Sequence, residues 1–267
     1  MKKYLSFFRL RFLMGLQYRA AAAAGVMTQF FWGAMEILMF RAFYRADDEA
    51  FPMTLSAACT YVWLQQAFLT LFMMWMMENE IFEEIKNGNI AYELCRPADL
   101  YHMWFSRSIA NRLSRALLRC APILLTAFFI PGPYGMSLPG GIDSFVGFLL
   151  GMLLGLIVTT AFCMVIYLVT FFTVSPDGVR MVAVSGVEFL SGAVIPLPFF
   201  PEKMQRVMEL LPFASMQNVP FRIYSGDLNG SEAGNALGIQ LIWAIVLILL
   251  GKLLWMAARH RIQIQGG

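Results

Sequence analysis

The amino-acid sequence predicts an all-α, polytopic membrane protein. Of its 267 residues, 59% are hydrophobic and only 14% are charged. Uncharged runs longer than about 18 residues recur, and runs of that length are typical of helices that cross a bilayer. The net charge of +3 is too small to indicate a nucleic-acid partner. Because no repeat or low-complexity linker divides the chain, we expect residues 1–267 to form a single transmembrane domain.

The N-terminal segment, residues 1–18, mixes aromatic and aliphatic side chains with basic residues. This pattern predicts an interfacial helix that lies along the inner leaflet of the bilayer. Arg9 and Arg11 interrupt the apolar run that a cleavable signal peptide would need, so we expect the segment to be retained.

The hydrophobic runs predict six transmembrane helices. They cover, approximately, residues 20–40, 54–77 and 117–130, then the stretches between Asp143 and Asp177, between Arg180 and Pro196, and between Glu232 and Lys252. The third run is the least regular, because four arginines precede or begin it: Arg107, Arg112, Arg115 and Arg119.

The distribution of basic residues predicts the topology. Six crossings place both termini on one side, together with the loops after the second and fourth spans. That side carries 15 of the 20 Lys and Arg residues: Lys2, Lys3, Arg9, Arg11, Arg19, Lys86, Arg96, Arg107, Arg112, Arg115, Arg119, Arg180, Lys252, Arg259 and Arg261. Because cytoplasmic flanks are enriched in Lys and Arg, we expect both termini in the cytoplasm and the protein in the cytoplasmic (inner) membrane.

Residues 196–230 form an unusual loop on the predicted outer side. Five prolines separate short apolar pieces in it: Pro196, Pro198, Pro201, Pro212 and Pro220. Irregular backbone at membrane depth is tolerated only where protein or water satisfies its polar groups. The pattern therefore predicts short re-entrant helices that pack on the bundle before the last span.

Residues 78–96, ENEIFEEIKNGNIAYELCR, form a charged insert between the second and third spans. Ile81, Phe82 and Ile85 share one face of a predicted helix, and glutamates cover the rest. Residues 87–89, Asn-Gly-Asn, supply a helix stop, and Asp99 is suited to cap the next helix. Anionic lipids repel an acidic helix, so its pattern favours a protein partner over the membrane surface.

Three segments resemble type-2 ABC transporter permeases, in the branch whose permease subunits are encoded separately from their ATPase. They are EIKNGNIAYELCRP followed by Tyr101, SGAVIPLPFFPEKMQRVMELLPF, and the downstream YSGD. The resemblance extends over nearly the whole chain. It implies that residues 78–96 contain a cytoplasmic coupling helix that docks in a groove of the ATP-binding subunit.

The resemblance also implies partners and a direction of transport. Two permeases, identical or homologous, would pair around a central path, and two ATP-binding subunits would bind ATP and Mg beneath them. A hydrophobic or amphiphilic compound would be exported by alternating access. The expected contacts with the ATP-binding subunit are Glu80, Phe82, Glu83, Glu84, Ile85 and Lys86, with Phe82 or Ile85 as the apolar anchor.

The chain carries no recognisable catalytic motif. It lacks GxxxxGK[ST], HExxH and GxSxG, its two histidines are far apart, and its four cysteines form no CxxC pair. We therefore expect no cofactor or metal in this chain, and ATP hydrolysis on a partner subunit. An ion-gradient-driven secondary transporter and a non-transporting scaffold remain alternatives.

Two sets of polar residues fall within the predicted spans. Ser185, Glu188 and Gly192 follow an i, i+3, i+7 spacing that suits a transport path or a dimer seam, or else a structural hydrogen bond. A second stripe would gather positive charge that attracts an anionic or amphiphilic substrate, although lipid phosphates or the acidic insert would serve equally as its partners. It comprises Arg112, Arg115 and Arg119.

Other intramembrane residues have simpler interpretations. Glu36 lies near the outer end of the first span, where it can reach the interface, and Gln65 and Gln66 are suited to hydrogen bonds between helices. Small residues at a spacing of four allow another helix to approach closely, in this chain or in a partner. In the fourth span these are Gly147, Gly151 and Gly155.

Overall fold

The computed structural model describes residues 2–47, 51–173 and 175–260, which fold into eleven α-helices and three 3-10 turns with no strand among them. The helices are α1 (Lys2–Gly15), α2 (Arg19–Ala46), α3 (Leu55–Phe72), α4 (Asn79–Lys86), α5 (Ile90–Leu94), α6 (Leu100–Phe129), α7 (Ile142–Val169), α8 (Pro176–Leu190), α9 (Glu202–Glu209), α10 (Asn218–Ser225) and α11 (Gly230–Ala258). The 3-10 turns are Met74–Met76, Thr170–Phe172 and Leu197–Phe199. The all-α class is confirmed.

Local sequence signals account for several helix ends. Asp99 caps α6 as predicted, because its carboxylate accepts a hydrogen bond from the backbone N–H of His102 at 3.0 Å. The predicted stop after α4 is also confirmed: the helix ends at Lys86, and Gly88 adopts a positive φ of 72°.

Four stretches are long and apolar enough to cross a membrane: Arg19–Ala46, Leu55–Lys86, Ile142–Phe172 and Gly230–Ala258. They confirm a multi-pass membrane protein. Helix α6 is long enough as well, but its arginines lower its hydropathy, so a crossing by α6 stays a prediction.

The predicted bounds of the fifth span are wrong. The helix starts before Arg180 and ends at Leu190, well before Pro196. It ends there because Gly192 adopts a φ of 76°, which a continuing helix does not allow. With 15 residues, α8 extends about 22 Å, less than the roughly 30 Å of a hydrocarbon core.

The segments predicted to be cytoplasmic lie together at one end of the bundle. Helix α1 is tied to the start of α6, since Lys3 Nζ donates to the Pro97 carbonyl at 2.6 Å and the Tyr4 hydroxyl accepts from the Asp99 N–H at 3.0 Å. The C-terminal half of α11 reaches the same end, where Gly251 lies against the Tyr101 ring. At the opposite end, Arg41 lies over the ring of Tyr134 at 5.4 Å. Arg261, counted in the predicted cytoplasmic set, lies outside the described residues.

The segment 196–230 does contain short helices, and α10 is inserted into the bundle. Its residues from Asn218 to Tyr224 are all buried. The glycine motif of α7 makes room for it: a β-carbon at Gly151 would lie 3.1 Å from Pro220, and one at Gly155 would lie 2.0 Å from the Met216 carbonyl oxygen. The motif therefore packs against a segment of the same chain. Its third member, Gly147, faces Ile223.

Candidate functional site: the coupling helix and the polar cavity

Helix α4 is amphipathic, and its apolar face is buried in its own chain. Ile81 is fully buried, and Phe82 packs edge-on against Tyr167 of α7 with the ring centroids 5.0 Å apart. Glu83 and Lys86 are exposed. The helix is therefore held on the bundle by its apolar side and presents charge outward.

An ion cluster centred on Arg107 of α6 holds the acidic side of α4. Arg107 is 3% exposed, and its guanidinium pairs with Glu78 at 4.0 Å, with Glu84 at 3.5 Å and most closely with Glu80. Glu80 also pairs with Arg11 of α1 at 3.6 Å. This cluster, the Arg107 cluster, links α1, α4 and α6.

Two further contacts connect the start of α4 to α7 and α8. The buried backbone N–H of Glu78 donates to the Tyr167 hydroxyl at 2.7 Å. Arg180 of α8 donates to the Asn79 side-chain oxygen at 2.6 Å and to the Trp75 carbonyl at 3.3 Å. Four helices, α1, α6, α7 and α8, thus contact α4 or the turn that precedes it.

A cavity of about 580 Å³, here named the polar cavity, lies between α2, α3, α6 and the end of α8. It collects side chains that are distant in the sequence, including two carboxylates, three amides and one guanidinium. Its lining consists of Gly25, Thr28, Gln29, Trp32, Glu36, Gln65, Gln66, Leu69, Met73, Trp75, Met76, Arg119, Glu188, Ala193 and Val194.

A second cavity of about 360 Å³, the basal cavity, lies beside α1 and the start of α4. Arg11, Glu78 and Glu80 line it at the end where α4 lies. Met76 and Arg119 line both cavities. The two cavities therefore meet at these side chains, which lie between α4 and the polar cavity.

The sequence profile of a family described as ABC-2 family transporter protein matches residues 30–266, most of the chain. The chain belongs to this family of transporter permeases. No curated protein sequence matches it. As a member of this family the permease is a multi-pass membrane subunit that associates with an ATP-binding subunit. The family's membrane subunits are typically non-catalytic.

The structure separates the predicted coupling residues of the permease into two groups. Glu83 and Lys86 are exposed, so these two present surface to a partner, whereas Ile85 is half-buried and packs against the core that contains Phe82 and Tyr167. Glu80 and Glu84 are held by Arg107. Phe82 is buried against Tyr167, so it anchors α4 to the bundle. Ile85 packs on the same core but keeps partial exposure, and its role as an apolar anchor for the ATP-binding subunit stays a prediction.

The predicted arginine stripe of α6 is divided. Arg112 is 1% exposed and donates to the carbonyls of Leu71 and Met73 at 2.8 and 3.1 Å and to Cys163 Sγ at 3.2 Å. It satisfies carbonyls at the C-terminal end of α3 and is not available to a substrate, which corrects the prediction for this residue. Arg115 lines the basal cavity, and Arg119 lines both cavities.

The stripe predicted in the fifth span does not form, because Gly192 lies beyond the end of α8. Its carbonyl accepts a hydrogen bond from the buried Tyr61 hydroxyl at 3.2 Å. Ser185 is exposed elsewhere on α8, and only Glu188 lines the polar cavity.

Sequence reasoning missed the role of Arg107, which it treated only as one of several basic residues. The available signal was the proximity of an acidic insert and a basic helix start. Pairing with the insert was considered for the arginines at 112, 115 and 119, but the structure gives that pairing to Arg107.

Proposed function

We propose that the permease is the membrane subunit of an ATP-driven exporter of a hydrophobic or amphiphilic compound, working by alternating access. The ATP-binding subunit would hold ATP and Mg and would dock on α4. The observation that carries this proposal is the attachment of α4, whose outer face is free while its inner face contacts α1, α6, α7 and α8.

The connection from α4 to the polar cavity is short. Residues 73–78 join α3 to α4 through one 3-10 turn, and Met73, Trp75 and Met76 of this connection line the polar cavity. Because α4 begins directly after this connection, a movement of α4 would displace the residues of the connection that line the cavity. Closure of the ATP-binding subunits on ATP would supply that movement.

The proposed topology has six crossings, with α6 and α8 completing the four apolar ones. Both termini and α4 would lie on the cytoplasmic side of the inner membrane. In support, α1, α4 and the starts of α6 and α8 contact one another at one end of the bundle, which carries most of the Lys and Arg. Helix α1 has no buried residue, as an interfacial helix requires, and α10 would be the re-entrant helix of the outer half.

A second permease, identical or homologous, would complete the transport path. Helix α2 lines the polar cavity and also carries exposed apolar side chains, among them Phe31, Met35 and Leu38. In a bilayer this face contacts either lipid or another protein. Pairing at α2 would place two polar cavities next to each other.

The experiment is charge reversal on the free face of α4. Glu83→Lys combined with Lys86→Glu removes complementarity to the ATP-binding subunit while leaving the Arg107 cluster intact. We expect the co-purified amount of ATP-binding subunit to fall at least about tenfold. Glu202→Lys combined with Lys203→Glu, on exposed α9 at the opposite end, is the matched control.

Unchanged co-purification together with unchanged ATP-dependent transport in liposomes would refute the docking site. Transport that follows an ion gradient without any ATP-binding subunit would refute the ATP-driven mechanism and favour a secondary transporter. A complex that assembles but moves no compound would favour a scaffold.

A further inference from the structure

The polar cavity contains two carboxylates that lack an ionic partner. Glu36 is contributed by α2 and Glu188 by α8. Within the parts of the chain that the structure describes, neither lies within 4.0 Å of a basic nitrogen, whereas Arg107 alone pairs with three glutamates. Carboxylates inside a membrane protein are costly unless they are paired or hydrated. Their placement in a cavity leaves room for an external partner.

Gln29 is a second and independent sign of a ligand. The residue is 3% exposed and lines the polar cavity, yet neither its Nε2 nor its Oε1 has a hydrogen-bond partner. Buried amides are nearly always satisfied by protein or by ordered solvent. Gln65, in the same cavity, shows the usual case, because its Nε2 donates to the Ala193 carbonyl at 2.5 Å. The Gln29 amide is therefore free to bind the polar group of a guest.

The remaining lining suits an apolar body with a positive charge. Trp32 and Trp75 also line the cavity, and Leu69 and Met73 add apolar residues to the lining. Tryptophan is the aromatic side chain that attracts cations most strongly through its ring face. The volume of about 580 Å³ is within the range of small-molecule sites.

Arg119 is the one basic side chain in the lining, so the cavity carries one more acidic than basic group. It also lies at the boundary with the basal cavity, where it approaches Gly25 of α2. We propose that the polar cavity binds a lipophilic cation, with Glu36 and Glu188 as its counter-charges and Gln29 as its hydrogen-bonding group. This inference rests on the proposed function, since it names the substrate class of the exporter.

The test uses two probes of nearly the same shape and opposite charge, tetraphenylphosphonium and tetraphenylborate. Binding of each to the full-length permease in nanodiscs is measured by equilibrium dialysis, with protein-free nanodiscs subtracted to remove partition into lipid. We expect the cation to bind at least about tenfold more tightly than the anion. This comparison needs no variant, so it is independent of any folding defect.

Conservative variants then test whether the cation binds at Glu36 and Glu188. Glu36→Gln and Glu188→Gln should each weaken binding of tetraphenylphosphonium about tenfold and leave tetraphenylborate unchanged or improved. Glu202→Gln, an exposed carboxylate on α9 outside the cavity, removes the same charge and should change neither. Size-exclusion profiles of all variants report folding.

Equal binding of the two probes, or a preference for tetraphenylborate, would overturn the proposal. So would unchanged cation binding in both Glu36→Gln and Glu188→Gln. Co-purification of the ATP-binding subunit is measured on the same preparations. If the unmodified permease forms an ATP-hydrolysing complex but does not bind the cation, only the proposed ligand class is refuted. If it binds the cation but never assembles with an ATP-binding subunit, the proposed exporter function is refuted.

Discussion

Two regions of the permease use the same residue types in opposite ways. In the Arg107 cluster, three glutamates surround one buried guanidinium, and each glutamate has its partner inside the chain. In the polar cavity, within the described residues, Glu36 and Glu188 have no basic partner, although Glu36 has a hydrogen bond with Gln66, and the Gln29 amide is unsatisfied. Internally paired charges hold helices together, whereas unpaired ones are available to something that arrives from outside. On this difference we base the proposal that the first region transmits force and the second binds a ligand.

The largest effect on stability is expected when the ion pairs of the Arg107 cluster are removed. Arg107→Ala leaves three carboxylates close together, one of them buried, and among the described residues only Glu80 keeps an ionic partner, Arg11. Removal of one partner of a buried ion pair costs about 3–5 kcal/mol, so we expect a strong fall in the thermal unfolding midpoint in detergent. Arg96→Ala is the control, because Arg96 is exposed and pairs with Glu93, three residues earlier. Similar midpoints for the two variants would contradict a structural role for the Arg107 cluster.

A smaller effect on stability is expected where two segments pack closely through their backbones and no charged group is involved. Gly155→Ala places a β-carbon 2.0 Å from the Met216 carbonyl oxygen, so α7 and the segment before α10 must separate. We expect a loss of about 1–3 kcal/mol in the free energy of unfolding. Gly186→Ala in α8 meets no atom within 4 Å and should be neutral or slightly stabilising. If the Gly155→Ala variant unfolds at the same temperature as the Gly186→Ala variant, α7 and the segment before α10 do not pack as closely as described.

Two of the three glutamines of the polar cavity, Gln65 and Gln29, allow the comparison within one site. Gln65→Leu leaves the Ala193 carbonyl without its donor and should cost about 1–3 kcal/mol. Gln29→Leu removes an amide that has no partner, so it should leave the stability unchanged or raise it by about 1 kcal/mol. Thermal unfolding of both variants without ligand is the measurement. A greater destabilisation by Gln29→Leu than by Gln65→Leu would show that Gln29 is a structural residue.

The smallest effect on stability is expected on the free face of α4. Glu83→Ala and Lys86→Ala remove exposed side chains and should each change the free energy of unfolding by less than about 0.5 kcal/mol. Their effect should appear instead in the ATP hydrolysis rate of the complex with the ATP-binding subunit. A destabilised permease with normal coupling would reverse the roles assigned to the two faces of α4.

The elements that the sequence predicted well are governed by local interactions. Helix α4 follows from the spacing of Ile81, Phe82 and Ile85 and from the glycine at position 88, all within one short stretch. The apolar spans follow from length and composition. The start of α6 follows from the capping carboxylate of Asp99.

The parts that were missed depend on tertiary packing. Spacing placed Arg112 with Arg115 and Arg119, but α6 is rotated so that Arg112 points at the end of α3, and sequence periodicity carries no information about that rotation. The polar cavity is assembled from four separate elements, so Glu36 and Glu188 were interpreted separately although they share one site. Gly192 was assigned to a helical stripe because its backbone conformation is not visible in the spacing.

The most direct test of the account follows residues 73–78, the connection between α3 and α4, three of whose residues line the polar cavity. Hydrogen–deuterium exchange of this segment is compared in the assembled complex with and without a non-hydrolysable ATP analogue. The account predicts that the analogue changes exchange in the unmodified permease and in the α9 control, but not in the permease with Glu83→Lys and Lys86→Glu. The same nucleotide-dependent change in all three proteins would contradict the claim that α4 carries movement from the ATP-binding subunit to the polar cavity.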